Sequence, residues 1–436
     1  MATYLTRTVS DATSNRLATF SFWVKRSNIS DADGQGSNYL FCLAGPGGFS
    51  DSDWLGLQFR SVDTLRLTSW YGGINVTTNK VFRDPASWYH IVVRIDTTAG
   101  AAANRVRIYI NGTEQTSFGN SSYPSQDYDF NCLGDSGAKH YVGCAVSGSV
   151  GSPSPYDYTN GYIADFNFTS GQSYPASSFG ETDSTTGEWK PKSDLSGLTY
   201  GDNGFRLKFE NAGSLGADTS GQGHNLTVSG AGTNAQTTDT PSNNFAVLNT
   251  IAPDGGTFTL GGLKYVTNGT DLVCGISSFA LTGSSKWYCE MKAITKTGNY
   301  FNFGVASSSK SMNDNGIIYR SDGKIYKDGS ENQSSLATFT DNDIIGVIYD
   351  CSNNQCSFQK NGSAVGSAVT IGDATRDIFF ITGGNGGTNS TSEINFGNPP
   401  FSISSTNADS AGLGVFEYAV PSGAYSLCTK NLNTYG

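Results

Sequence analysis

From Leu17 the chain alternates: in ATFSFWVKRS, Phe20, Phe22 and Val24 fall on one face of an extended segment, and Ser21, Trp23 and Lys25 on the other. This predicts a sheet strand with both faces partly covered. WLGLQFR, TLRLTSW, WYHIVVRID and NRVRIYING follow at short intervals, divided by Asp, Asn, Gly and Pro clusters, which is the spacing of an antiparallel sandwich. GYIADFNF and GFRLKFEN (204–211) are two further strands, so residues 170–203 between them read as a long surface excursion of the same domain.

Residues 229–245 are almost wholly polar or small, the composition of a solvated connector. The expected organisation is a first domain over 1–228, a linker over 229–250 and a second domain over 251–436. The second half restarts with GTFTLGGLKYV, SKWYCEMKAI, YFNFGVAS, DIIGVIYDC, CSFQKNG and IFFITGG, again punctuated by Gly, Asn and Asp. No segment holds a 3.6-residue period, and the C-terminal AVPSGAYSLCTKNLNTYG reads as irregular or edge-like. The fold class is therefore all-β, with two antiparallel sandwiches in tandem.

Composition agrees. Fifty-four glycines, 15% charged residues and 12% aromatics among 436 residues describe short strands and tight turns around aromatic cores. The formal charge of -10 would repel nucleic-acid phosphates, so no nucleic-acid partner is expected. Neither a signal peptide nor an apolar run of 18 residues is expected from the sequence, so no membrane insertion is predicted. The eight cysteines contain no C-x-x-C pair; they read as buried thiols, with Cys351 and Cys356 around SNNQ the one pair close enough to raise a disulfide. Ten N-x-S/T matches, among them Asn28, Asn75, Asn111, Asn167, Asn225 and Asn361, read as turn chemistry in an Asn-, Ser- and Thr-rich chain.

FSFWVKRS, WYHIVVRIDTT, NRVRIYINGTE and GYIADFNF, in that order, resemble the laminin-G-like or pentraxin-like branch of the concanavalin A-like superfamily. The resemblance rests on Trp23, on Trp88 and His90 through Gly112, and on Gly161, Asp165 and Phe166. KWYCEM (286–291), FGVA and DNDIIGVIYDCSNNQCSFQKNG resemble a SPRY domain, a relative of the same jelly-roll plan. The resemblance implies that RIYINGTE and SFQKNGS are one turn used twice, because Asn and Gly tolerate the positive φ of a tight hairpin. GLGVFEYAVPSGAYSLCTKNLN and DTPSNNFAVLN further resemble segments of marine bacteriophage tail-fibre and appendage proteins. That implies a virion structural protein, assembled in the host cytoplasm and displayed on the virion surface. Its partners would be other virion proteins, further copies in a homo-oligomer such as a trimer, and host surface glycans.

No catalytic residues are expected. The nearest approach to the E-x-D-x-x-E of glucanases with this fold is Glu181, Asp183 and Glu188, where the last Glu comes two residues late in a Ser/Thr/Gly loop. His90 reads as a packing residue inside a strand, and His140 and His224 have no second histidine at ligand spacing. GGNGG at 383–387 lacks the Lys and helix of a phosphate loop. No cofactor is expected; calcium is the one alternative weighed, because loops 30–38 and 217–225 are oxygen-rich, but they lack EF-hand spacing and read as turns.

For a glycan ligand the candidates are exposed aromatics beside Asn and Asp: Tyr156, Asp157, Tyr158 and Asn160 in SPSPYDYTNGY, with Trp70 and Tyr71 in TSWYGG. The expected function is non-enzymatic adhesion and assembly. The alternatives are a polysaccharide depolymerase and a purely structural capsid decoration protein.

Overall fold

The computed structural model describes residues 3–27, 29, 38–149, 152–230, 235–250, 256–269, 274–297, 299–307, 311–385 and 387–436. The chain divides into two compact units, Met1–Gln236 and Thr237–Gly436. Each is built from one eight-stranded and one six-stranded sheet, and almost every strand pairing is antiparallel. The expected all-β tandem of sandwiches is what forms.

In the first unit the eight-stranded sheet runs, in spatial order, Phe118–Ser122, Asn75–Val81, Thr64–Ser69, Trp54–Phe59, Asn38–Ala44, Lys139–Val142, Tyr4–Thr8 and Thr227–Ser229. The six-stranded sheet runs Phe205–Leu207, Gly161–Ser170, Leu17–Arg26, Trp88–Asp96, Val106–Ile110 and Thr113–Glu114. Phe20, Phe22 and Val24 enter the core between the sheets with Phe41, Leu57, Ile91, Val93, Ile108 and Phe166. The opposite set, Ser21, Trp23 and Lys25, is fully buried too rather than half-covered. Trp88 and Tyr162 stand opposite Lys25 on the neighbouring strands, and the excursion covers the face around His90, which contacts Ser21 and Trp23. The excursion carries the hairpin Gly180–Thr182 with Trp189–Pro191 and packs Ala176, Phe179, Trp189 and Leu195 over Val92 and Tyr109 on the outer face.

In the second unit the larger sheet runs Gly256–Thr259, Lys264–Gly269, Gly387–Asn395, Lys286–Thr295, Ile344–Asp350, Gln355–Lys360 and Ser363–Thr370. The smaller runs Cys274–Ile276, Phe379–Asn385, Tyr300–Ala306, Ile317–Arg320, Lys324–Lys327 and Ser330–Gln333. Phe301, Phe303, Tyr319, Phe339 and Phe358 form a chain of ring contacts in its core. At one rim Gln333 bonds both the carbonyl and the N–H of Ser367, each at 2.9 Å, and ties the two edge strands together.

The C-terminal segment is not irregular. Ala424–Ser426 is a strand parallel to Lys286–Thr295, and Thr429–Tyr435 is a short helix. Residues 238–248, polar enough to read as connector, belong to the same substructure. Ala246 N–H donates to the Leu427 carbonyl and Thr429 N–H to the Asn244 carbonyl, and Phe245 through Leu248 are buried. Glu290 fixes the strap that leads there. Its carboxylate, fully buried on Lys286–Thr295, accepts the N–H groups of Glu417 (3.0 Å) and Tyr418 (2.8 Å), the Asn395 amide (3.1 Å) and the Tyr288 hydroxyl (3.3 Å).

The two Asn-Gly turns have one geometry. Asn111 and Asn361 both lie at φ 47°, followed by Gly112 at 78° and Gly362 at 80°, as a two-residue hairpin with the twist of its strands requires. Each glycine also lies under an aromatic ring. A Cβ on Gly112 would stand 2.6 Å from the Trp189 ring, and one on Gly362 2.8 Å from the Tyr418 ring.

Candidate functional site

The histidines are structural. His90 is buried between two tryptophans, with ring centroids 4.7 Å from Trp23 and 6.0 Å from Trp189. Trp189 Nε1–H can only donate, so His90 Nδ1 accepts at 2.9 Å, and Nε2 carries the proton that it gives to Ser21 Oγ, also at 2.9 Å. A histidine in that tautomer cannot take a proton from Ser21, so this buried pair is no nucleophile and base. Burial lowers the His90 pKa to about 3 and that of His140 to about 4. His140 Nε2 bonds the Cys132 carbonyl at 3.0 Å, and His224 Nδ1 bonds the Gly204 carbonyl at 2.8 Å.

One carboxylate of ETDSTTGE, that of Asp183, closes a hairpin. Asp183 accepts the N–H groups of Thr185 (2.8 Å) and Thr186 (3.0 Å) and pairs with Lys190 Nζ at 2.8 Å. The Lys190 bond, then the two backbone donors, hold its pKa far below the usual carboxylate range. Loop 217–225 is similarly self-satisfied. Asp218 accepts N–H groups of Arg206 (2.9 Å), Ser220 (2.8 Å) and His224 (2.8 Å) and the Ser220 hydroxyl (2.9 Å), which leaves its oxygens serving the turn and not a cation. Most of loop 30–38 lies outside the described residues. Among the described residues no group of three or more His, Cys, Asp or Glu could hold a metal ion, and all eight cysteines are free thiols. Cys351 follows its strand into the turn, whereas Cys356 sits within the next strand opposite Tyr349.

The two aromatic groups singled out in the sequence come together on the outer face of the eight-stranded sheet. Trp70 follows the strand Thr64–Ser69, and its ring lies 4.6 Å from Phe49 and 5.6 Å from Trp54. Trp54 meets Tyr39 at 5.7 Å, and Tyr39 meets Tyr156 at 6.3 Å. Tyr158 packs against the same cluster, with its ring 6.1 Å from Tyr4 and its hydroxyl donating to the Pro155 carbonyl at 3.2 Å. The result is one continuous aromatic ridge. Its middle is closed: Trp54 is 2% exposed, and its Nε1–H donates to the Val146 carbonyl at 3.0 Å in the hairpin Ala145–Ser149 with Ser152–Tyr156.

The ends of the ridge are open. Trp70, Phe49, Tyr156 and Tyr158 are half-buried, and Tyr71 is 78% exposed, the most exposed large apolar side chain among the described residues. Asp51 fixes the turn that presents Trp70 and Tyr71, because its Oδ1 accepts both the Ser69 hydroxyl (2.5 Å) and the Tyr71 N–H (2.9 Å). At the other end Asp157 lies at φ 44°, and its carbonyl accepts the Tyr39 N–H at 3.2 Å. Asn160 is exposed, and its carbonyl accepts the Ser27 N–H at 3.1 Å, so it shapes the loop with its backbone. Burial raises the Tyr156 hydroxyl to about 12, so it remains a neutral donor.

Sequence reasoning missed Tyr39, Phe49, Asp51 and Trp54. A signal existed for Trp54, since in WLGLQF the positions of Trp54, Gly56 and Gln58 alternate with the core residues Leu55, Leu57 and Phe59. Gly56 is the gap the rings need: a Cβ there would lie 2.7 Å from both Trp54 and Tyr39.

Residues 2–171 match the family model of the concanavalin A-like lectin/glucanases superfamily, and residues 286–399 match the SPRY domain. No curated protein matches the chain. Among solved structures it is similar to the native heptameric SAP-like pentraxin of Limulus polyphemus, with 15% identity over 40% of this chain and 71% of that one, at a TM-score of 0.28. It is similar to the SPRY domain of human HERC1, with 17% identity over 32% of this chain and 91% of that one, at 0.26. A protein of Bacteroides ovatus described as a carbohydrate-binding candidate is 15% identical over 52% of this chain and 56% of its own, at 0.33.

Proposed function

We propose that this tandem of a concanavalin A-like and a SPRY domain is a non-enzymatic adhesion and assembly protein of a bacteriophage particle, carried on the virion surface as part of a fibre, spike or capsid appendage. The observation that carries the reading is the aromatic ridge, whose two ends, Trp70 with Tyr71 and Tyr156 with Tyr158, reach solvent from a braced sheet. Sugar C–H faces stack on such rings while hydroxyls bond neighbouring carbonyls and carboxylates. A non-enzymatic role is favoured because Asp183 of ETDSTTGE is spent on its own hairpin and Glu181 faces the same Lys190 at 3.8 Å.

The virion setting is supported by the two segments that resemble phage appendage proteins, DTPSNNFAVLN and GLGVFEYAVPSGAYSLCTKNLN. They are far apart in sequence, yet they bond each other in one substructure of the second unit. Several copies assembled in the host cytoplasm as a homo-oligomer, against other virion proteins, would convert weak single contacts into avidity.

The test is a glycan array and a host-cell pull-down with the purified full-length chain, with reducing-sugar release measured alongside. Retention without release, lost in Tyr71→Ala, is the expected result. Release of reducing ends would replace this reading with a depolymerase. Absence of binding to any sugar or cell would replace it with a decoration protein whose partners are all within the particle.

A further inference from the structure

The open rings lie at two separate ends of the ridge, and its middle is sealed. Trp70, Phe49 and Tyr71 stand at one end, and Tyr156 and Tyr158 at the other. Four successive ring contacts of 4.6, 5.6, 5.7 and 6.3 Å join Phe49 to Tyr156 through the buried Trp54 and Tyr39. A ligand confined to one sugar ring can stack on one end only. A ligand that engages both has to pass over the hairpin that covers Trp54, and so must be longer than one sugar ring. The braces point the same way. Asp51 holds one end by two hydrogen bonds, and the Tyr39 N–H bond to the Asp157 carbonyl holds the other, so the separation of the ends is set by the sheet before any ligand arrives.

Charge narrows the class further. A carboxylate stands at each end, Asp51 and Asp157, and Arg66 is the cation that acts on Tyr39 between them. The chain as a whole carries -10. A polymer of sulfated, phosphorylated or uronic sugars would meet like charge over the surface as a whole.

Building on the glycan-binding reading, we infer that the ridge binds a neutral, linear oligosaccharide that spans both ends, rather than a single terminal sugar or an acidic polysaccharide. The ring pairs are its anchors, and the covered Trp54 and Tyr39 set the spacing between them.

The experiment is calorimetric titration of the full-length protein with cello-, manno- and xylo-oligosaccharides of one to six units, with heparin and polygalacturonate as polyanion probes. Affinity for one neutral series is expected to rise at least tenfold between two and six units. Tyr71→Ala should abolish that rise and leave the melting temperature unchanged. Equal affinity for short and long chains would overturn the spanning ligand while leaving glycan binding intact. Binding of the polyanions in preference to every neutral series would overturn the neutral class. Binding of no sugar at all would overturn both this inference and the glycan reading on which it rests.

Discussion

Asn361 holds the backbone of Ile344 at both of its polar groups: its N–H donates to the Ile344 carbonyl at 2.8 Å, and its Oδ1 accepts the Ile344 N–H at 2.9 Å. Asn111 does the same to His90 in the other unit, at 2.9 and 2.8 Å. The turn residue therefore has to supply a left-handed backbone and an amide-length acceptor together, which Asn does and Gly alone does not.

Asn361→Gly keeps the backbone and loses the acceptor, leaving the buried Ile344 N–H without its bond. It should cost the second unit about 1–2 kcal/mol. Gly362→Ala should cost more, because its Cβ meets Tyr418 at 2.8 Å and φ is 80°. Urea unfolding of the two variants should rank them in that order, and the reverse order would refute the shared-turn account.

The turn was legible in the sequence because both of its requirements are local, and so was the alternation of Phe20, Phe22 and Val24. The docking of 238–248 was not. That stretch is polar by composition, and its order comes from main-chain bonds to Leu427 and Thr429, which no window around it contains. The ridge was half legible. Trp70 and Tyr156 each stood out beside polar neighbours, but their union depends on Tyr39 and Trp54 meeting across the paired strands Asn38–Ala44 and Trp54–Phe59. Burial of Ser21 and Trp23 was hidden for the same reason, since Trp189, which bonds the His90 beside them, arrives from an excursion far along the chain.

All three histidines lie in the first unit, and two are buried with pKa values lowered to about 3 and about 4. A cationic group whose folded pKa is lowered contributes stability that is present above its unfolded value of about 6.5 and is lost as pH falls toward the folded value. Each should remove roughly 1.4 kcal/mol per pH unit over that window. Calorimetry between pH 7 and pH 5 should therefore lower the melting transition of the first unit and not that of the second, which holds no histidine and whose Glu290 favours the acidic side. Equal shifts in both would contradict the buried neutral histidines.

Burial raises the pKa of Glu290, against the lowering effect of the Tyr418 and Glu417 N–H groups. Its linkage runs opposite to that of the histidines, with stability present below the unfolded carboxylate value and lost as pH rises through the folded one. Glu290→Gln keeps the shape but turns an NH2 toward the Asn395 amide and Glu417 N–H or, flipped, toward the Tyr418 N–H, all of which can only donate. A loss of roughly 2–4 kcal/mol is expected. Hydrogen exchange should localise the loosening to the amides of Glu417 and Tyr418, and unchanged protection there would show that Glu290 does not hold the strap.

Trp70 and Tyr71 separate packing from recognition within one turn. Trp70 sits in ring contact with Phe49 and Trp54, so Trp70→Ala removes a large packed side chain and should cost the first unit about 3 kcal/mol. Tyr71 is 78% exposed and is held through its backbone N–H by Asp51, which substitution of the side chain leaves in place. Tyr71→Ala should thus move stability by no more than about 0.5 kcal/mol. If the ring is a contact surface, glycan or cell retention should fall at least tenfold in that variant while its melting curve overlays the parent. Full retention with Tyr71 removed would take the open end of the ridge out of recognition and leave its aromatics a packing layer.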